Sequence, residues 1–256
     1  MRGFLAALSV MTLIPVGKYV NINLADLRMA KFFFPLVGLV LGVVCAAWAW
    51  VMLRYSLPNF LGAVIIVLLP ELITKFFHLD GLADSADGFL SSRSKERILE
   101  IMRDSRVGVM GVIGIAAVIL LKVAAFYDLN EKNLIYAALL VPVAGRCAGA
   151  LYIELSQYAR PDGLGAIFFE YKSKFWGICA ALLLLGCGGI FSGSGLLSGL
   201  AVFILVLWWK NYTRQKIGGA TGDTIGAIIE LSETLFLIMA ALGPQWEISG
   251  FNRLFN

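Results

Sequence analysis

Long apolar runs recur along the 256-residue chain, and no other feature constrains its fold as strongly. Residues 32–53 (FFFPLVGLVLGVVCAAWAWVML) contain no formal charge. A bilayer core is crossed by about 20 helical residues, and hydrocarbon offers the backbone no hydrogen-bond partners, so such runs fold as helices. Comparable runs occupy 57–77, 107–127, 134–156, about 175–191, 195–209 and 224–243. Residues 1–16 end at Pro15 without a small-x-small cleavage site, which speaks against a signal peptide. That segment is marginal for spanning and suits an interfacial or re-entrant helix. The expected fold is all-α: a polytopic integral membrane helix bundle of about six to seven transmembrane helices plus that N-terminal helix. Residues 1–256 are expected to form a single membrane-embedded domain.

Composition agrees. Apolar residues make up 59% of the chain and charged ones 15%, against about 45–50% and about 25% in soluble domains. Mean hydropathy is +0.83. A net charge of +4, with basic residues flanking apolar segments, gives no tract for nucleic acid. Cys45, Cys147, Cys179 and Cys187 lie in apolar runs without metal-finger spacing and read as packing residues. Gly38 and Gly42 form a GxxxG spacing suited to close helix packing.

Charge sets the expected orientation. Loops 17–31, 78–107, 157–174 and 210–224 hold 14 Lys and Arg; the opposite loops hold only Arg54, Lys132 and Arg253. The positive-inside rule makes the first set cytoplasmic, and every motif with chemical potential falls on that side.

The densest of these motifs is His78-Leu-Asp-Gly-Leu-Ala-Asp-Ser-Ala-Asp-Gly88. Asp80, Asp84 and Asp87 are spaced four and three residues apart, which on a helix puts all three on one face. Like charges at that spacing repel, and a divalent cation with a preference for oxygen ligands, Mg²⁺ or Mn²⁺, turns repulsion into coordination. A solvated acidic loop is the plainer alternative. Residues 97–106 (RILEIMRDSR) alternate charge with apolar residues, as on a helix lying at the interface. Arg97, Arg103 and Arg106 there are either headgroup anchors or phosphate ligands. Asp104 is an ion-pair partner, a further ligand or a proton acceptor. Gly218-Gly-Ala-Thr-Gly-Asp223 precedes an apolar run: Gly218 and Gly219 permit close approach to a phosphate, Thr221 or Asp223 can cap the helix, and Asp223 can also serve as ligand or base. Glu71, Arg146, Glu154, Glu230 and Glu233 fall in apolar runs, where a helix-to-helix ion pair such as Arg146 with a glutamate is the economical explanation. His78, the only histidine, points away from the aspartate face of a regular helix. Acids beside arginines at a membrane surface suit metal-assisted phosphoryl transfer, whereas no Walker loop, GxGxxG or Ser-His-Asp order is present.

These segments resemble the cobalamin (5′-phosphate) synthase family, the adenosylcobinamide-GDP ribazoletransferases. The resemblance rests on residues 78–88, on Glu100-Ile-Met-Arg-Asp-Ser-Arg-Val-Gly108, on Ile14-Pro-Val16, on Phe34-Pro-Leu-Val-Gly38 and on Gly218-Gly-Ala-Thr-Gly-Asp-Thr-Ile-Gly-Ala227, in the family's order. Ser85 stands where threonine is common. The resemblance implies an Mg²⁺-dependent multi-pass enzyme of the bacterial inner membrane with its site facing the cytoplasm. It would join adenosylcobinamide-GDP to α-ribazole or its 5′-phosphate and release GMP, the last step of nucleotide-loop assembly. The expected assignments are Asp80, Asp84 and Asp87 on metal and Asp104, Asp87 or Asp223 as base. Arg97, Arg103, Arg106, Gly218, Gly219 and Thr221 are expected on phosphate. The expected partners are these substrates and the lipid bilayer, with homo-oligomerisation left open. The acid spacing also resembles the CDP-alcohol phosphotransferases, but it reads D-x3-D-x2-D-G with no Ala-Arg following. A CDP-alcohol-type phospholipid synthase therefore remains an alternative, as does a transporter using Glu71, Arg146, Glu154 and Glu230 at depth.

Overall fold

The computed structural model describes residues 1–191 and 195–243. Eleven helices follow in order among them: α1 Arg2–Met11, α2 Leu24–Ala30, α3 Phe34–Arg54, α4 Asn59–Ile73, α5 Phe77–Leu90, α6 Lys95–Ile101, α7 Val109–Asp128, α8 Glu131–Leu155, α9 Lys174–Phe191, α10 Gly195–Ile217 and α11 Gly222–Leu242. The described residues contain no sheet, only one isolated parallel bridge between Tyr158 and Ala220.

Five stretches are long and apolar enough to cross a membrane: Leu24–Arg54, Val109–Asp128, Glu131–Leu155, Leu196–Ile217 and Gly222–Leu242. The sequence suggested six to seven, and the difference has two sources. The described apolar length of α9 falls short, and the run 57–77 does not stay straight. At Thr74–Phe76 the backbone leaves helical geometry, with Lys75 and Phe76 at φ 58° and 57°, and α5 departs from α4 at 91°. Counting that bent pair as one passage gives six. Because of the bend, α5 does not prolong the path of α4; it packs across the first turns of α7 and α11. At 10 residues, α1 is too short to cross, as expected for an interfacial or re-entrant helix.

The hub is α8, whose span is 83% buried where that of α7 is 33%. It packs against α3, α9 and α11. The α3 contact uses the GxxxG pair: a Cβ on Gly38 would lie 2.5 Å from the Pro142 carbonyl, and Gly42 sits as tightly on Leu139. Backbones can approach this closely only over glycine.

Charges buried within the bundle meet one another. Lys122 of α7 donates to Glu230 and Glu233 of α11 at 2.7 and 2.6 Å and lies 3.6 Å from Glu71 of α4. Arg146 of α8 pairs with Glu233, and its Nη2 lies 3.2 Å from His78 Nδ1. The expected pairing of Arg146 with a glutamate is thus present. His78 is buried beside it and faces this cluster.

Candidate active site

The aspartate-bearing helix is placed by a backbone-to-backbone crossing. A Cβ on Gly81 would lie 2.7 Å from the Asp223 carbonyl, and one on Gly226 would lie 3.1 Å from the carbonyl of His78. Glycine on both sides of this contact lets α5 lie directly on the first turn of α11. That turn is fixed by a capping box: Thr221 Oγ1 accepts from the Thr224 amide at 3.2 Å, and Thr224 Oγ1 accepts from the Thr221 amide at 2.8 Å. Of the two residues able to cap α11, Thr221 does so. Asp223 is left free to turn toward the aspartates of α5.

Four carboxylates converge at the crossing. Asp84 is about half buried, and burial together with the charges of Asp223, Asp80 and Asp87 pushes its carboxyl up to about 7 against the opposing pull of Arg160. Arg160 Nη2 donates to Asp223 Oδ2 at 2.8 Å, and Thr221 Oγ1 donates to the same oxygen at 3.2 Å. Arg160 thus pairs with Asp223 and also draws on Asp84. Such a group meets the chemical requirement for a hard divalent cation: oxygen donors only, crowded, partly desolvated and short of positive charge. By donor type these residues suit Mg²⁺, but among the described residues only Glu71, Glu230 and Glu233 bring three carboxylate oxygens within 4.8 Å of one another, so the aspartates are not drawn together into a closed ligand set.

Asp87 stands apart from the other three. Its two oxygens accept from the amides of Gly108 and Gly111 at 2.6 and 2.9 Å, so it caps the N-terminus of α7. A carboxylate there satisfies orphan amides and meets the positive end of the helix dipole.

The segment 97–106 makes its own pairs. Asp104 accepts from the backbone amide, Nε and Nη2 of Arg106 at 3.0, 3.0 and 2.6 Å. Those bonds hold its carboxyl down to about 2, which favours a permanently ionised partner over a proton acceptor. The same pair raises the Arg106 guanidinium further. Arg103 donates to Asp162 at 2.7 Å and Arg97 pairs with Glu100 at 2.6 Å, all of them exposed. The structure thus brings Asp80, Asp84, Asp87 and Asp223 together and leaves Asp104, Arg97, Arg103 and Arg106 on the outer surface. Gly218 and Gly219 lie at the far end of their loop from Asp223, against Lys95 and Gln157.

Sequence reasoning missed Arg160 as a site residue. It lies in a polar loop, Arg160-Pro-Asp-Gly, some 60 positions from its partner, and nothing in its neighbours announces Asp223. The connection depends on the Tyr158–Ala220 bridge, where Ala159 donates to the Ala220 carbonyl at 2.8 Å and Ala220 to that of Gln157 at 2.7 Å. Beside Asp80 opens a cavity of about 740 Å³ between the end of α1, the α4–α5 break and α7, walled by Phe76, Phe77, Leu79 and Ile115 with Lys75 at its edge.

The chain is similar to proteins called adenosylcobinamide-GDP ribazoletransferase. It is 37% identical over 243 residues to that of Desulforamulus reducens, covering 93% of this chain and 96% of the relative. It is 35% identical over 240 residues to that of Clostridium novyi, with the same coverage. The relative from Geotalea daltonii is 34% identical over 254 residues, 96% of this chain and all of its own length. No solved structure matches. The family profile described as cobalamin-5-phosphate synthase matches residues 3–241, so the crossing of α5 on α11, with its four aspartates, belongs to a member of the cobalamin-5-phosphate synthase family.

Proposed function

We propose that this protein transfers the cobinamide-phosphoryl group of adenosylcobinamide-GDP to the ribose hydroxyl of α-ribazole or its 5′-phosphate. The products are adenosylcobalamin or its 5′-phosphate, and GMP. The observation that carries this reading is the convergence of Asp80, Asp84 and Asp223 under a single arginine, in a chain of this family. Asp80 and Asp84 would hold Mg²⁺, with Asp87 behind them keeping α7 in place. When bound, the metal neutralises charge on the pyrophosphate and on the leaving phosphate.

The remaining work falls to the chain's own groups. Asp223, oriented by Arg160 and Thr221, accepts the proton of the attacking hydroxyl. The new O–P bond forms at the phosphorus carried by cobinamide, and the bridging P–O bond breaks to release GMP. Arg103 and Arg106 exchange their exposed acid partners for phosphate oxygens, a change that costs little because exposed ion pairs are weak; Arg97, paired with Glu100, is a further candidate. The cavity beside Asp80, with Thr12, Thr74 and Lys75 among its apolar residues, is the open space nearest the aspartates for the donor. The distribution of Lys and Arg favours the cytoplasmic side of the bacterial inner membrane for this site.

The test is GMP release by purified protein given adenosylcobinamide-GDP and α-ribazole, with and without Mg²⁺. Release only with both substrates and metal is expected. Turnover of a CDP-activated lipid instead would move the chain to phospholipid synthesis, and solute flux in sealed vesicles without GMP would make it a transporter.

A further inference from the structure

Two residues before Arg160 stands Tyr158, a half-buried phenol whose hydroxyl makes no hydrogen bond among the described residues. The segment that carries it is extended: Tyr158 bridges to Ala220, with the amide of Ala159 and the carbonyl of Gln157 completing the pairing. Side chains two apart on an extended segment point the same way. Tyr158 therefore shares its side with Arg160, whose guanidinium reaches Asp223 at 2.8 Å. The loop that follows folds around the end of the ring. A Cβ on Gly163, which adopts φ +129°, would lie 2.5 Å from Tyr158 Oη, and one on Gly165 would lie 3.4 Å from it. The same Cβ on Gly165 would lie 3.6 Å from Gly222 Cα, so the hydroxyl end of the ring sits at the start of α11, next to Asp223.

Packing accounts for the ring but not for its oxygen. Phe169 tilts against Tyr158 at 5.2 Å between ring centroids, and a phenylalanine would fill the same space. A tyrosine hydroxyl withdrawn from water usually finds a partner. Two ion pairs act on this one through their charge: Arg160 with Asp223, and Arg103 with Asp162 at 2.7 Å. Burial raises the phenol above its ordinary range, opposed by Arg160 and helped by Asp223, so at neutral pH it keeps its proton and is available as a donor. Phosphate oxygens accept from guanidinium and phenol alike, and both stand here on the side of the base candidate Asp223.

We propose that Tyr158 is a substrate-contacting residue, its hydroxyl donating to a phosphate oxygen of the pyrophosphate ester that Arg103 also binds. The inference rests on the transferase reading above and adds to it: through the bound pyrophosphate, Tyr158 connects Arg103 on the outer surface with Arg160 and Asp223. The glycines at 163 and 165 then serve to bring the loop around the phenol while leaving its oxygen free for the substrate.

Tyr158→Phe in the full-length protein removes that oxygen alone and keeps the ring against Phe169. Its thermal midpoint should stay within about 2 °C of native, because no hydrogen bond within the chain is lost. The value of kcat/KM for adenosylcobinamide-GDP should fall about tenfold, the effect of one hydrogen bond to a charged oxygen, while KM for the nucleoside acceptor stays unchanged. Calorimetric titration with inorganic pyrophosphate and Mg²⁺ needs no turnover: the native protein should bind it, and Tyr158→Phe should bind it about tenfold more weakly. A midpoint lowered by more than that margin would make the hydroxyl part of the fold and overturn the proposal. An unaltered kcat/KM, a shift in KM for the acceptor in place of the donor, pyrophosphate affinity retained in full by the variant, or no pyrophosphate binding by the native protein would each overturn it as well. If the native protein releases no GMP, the transferase reading fails while the pyrophosphate titration still decides the role of Tyr158.

Discussion

The protein gathers carboxylates in two places, and it treats them in opposite ways. Inside the bundle, one oxygen from each of Glu71, Glu230 and Glu233 lies within 4.8 Å of the others. They enclose Lys122, and Arg146 neutralises Glu233 from the other side. Where α5 crosses α11, Asp84 lies under the charges of Asp223, Asp80 and Asp87, and Arg160, bonded to Asp223, is the opposing cation among the described residues. The first group carries its counter-ion as a side chain on α7. The second has no lysine at its centre among the described residues. Charge density alone therefore does not mark a metal site; what marks it is charge the chain has not already neutralised. Three glutamates in a dry environment with a lysine at their centre hold helices together, whereas aspartates at the open end of the bundle can exchange a cation with solvent.

Loss of a carboxylate from the open group should have the largest effect. Asp84→Asn is expected to lower GMP release about a thousandfold or more, the scale of several kcal/mol of charge stabilisation at a metal-assisted transfer. Its thermal midpoint should hold steady or rise, because one of four crowded acids has been removed. Chelation of the native protein should reproduce the loss, and Mg²⁺ should reverse it. Near-normal release by this variant would end the distinction between the two groups.

The closed group should respond in stability first. Lys122→Met leaves three glutamates in the bundle without their central cation, a change that typically costs about 3–5 kcal/mol when one partner of a buried pair is removed. Thermal unfolding followed by size-exclusion fluorescence should show the drop, and adding Glu71→Gln with Glu230→Gln should recover much of it. A midpoint equal to the native one would show that the cluster holds nothing together.

These two groups were legible in the sequence to different degrees. The spacing of Asp80, Asp84 and Asp87 is local, so a helix places them on one face whatever else the chain does. The apolar runs and the short first helix were readable for the same reason; the GxxxG spacing of Gly38 and Gly42 signalled a close contact but not that α8 would make it. The 91° break was not: Lys75 and Phe76 adopt left-handed geometry without glycine, which their residue types do not announce. Nor was the partition of the aspartates, since Asp87 is drawn to Gly108 and Gly111 from 21 and 24 positions away. Lys122 and its three glutamates come from α4, α7 and α11, and only the packed bundle shows which acids share it. Asp223 was recognised as a candidate ligand or base; that Arg160 would orient it was not.

Asp87 tests whether the partition within the open group is real. In Asp87→Asn the side chain keeps one carbonyl oxygen for α7 but loses its charge at the helix N-terminus, a loss of about 1 kcal/mol. The expected result is a modest fall in midpoint and in GMP release, with the Mg²⁺ concentration for half-maximal activity shifted much less than in Asp80→Asn. If Asp87→Asn matches Asp80→Asn in its Mg²⁺ dependence, Asp87 is a ligand as well as a cap.

The smallest effect on stability belongs to the exposed arginines. Arg106 and Asp104 form a close pair, yet both face water, and such pairs contribute about 0–1 kcal/mol. Arg106→Gln should therefore leave the thermal midpoint within about 2 °C of native. A phosphate ligand and a headgroup anchor make the same prediction there, so the midpoint cannot separate them. Kinetics can. If Arg106 turns from Asp104 to the donor's phosphate oxygens, KM for adenosylcobinamide-GDP rises about fivefold to tenfold while KM for the acceptor stays put, because one charge-assisted bond of about 1–1.5 kcal/mol is lost on the donor side alone. If the arginine only anchors the segment at the membrane, both constants stay at their native values and the arginines leave the site, with Arg160 as the one cation that faces the aspartates.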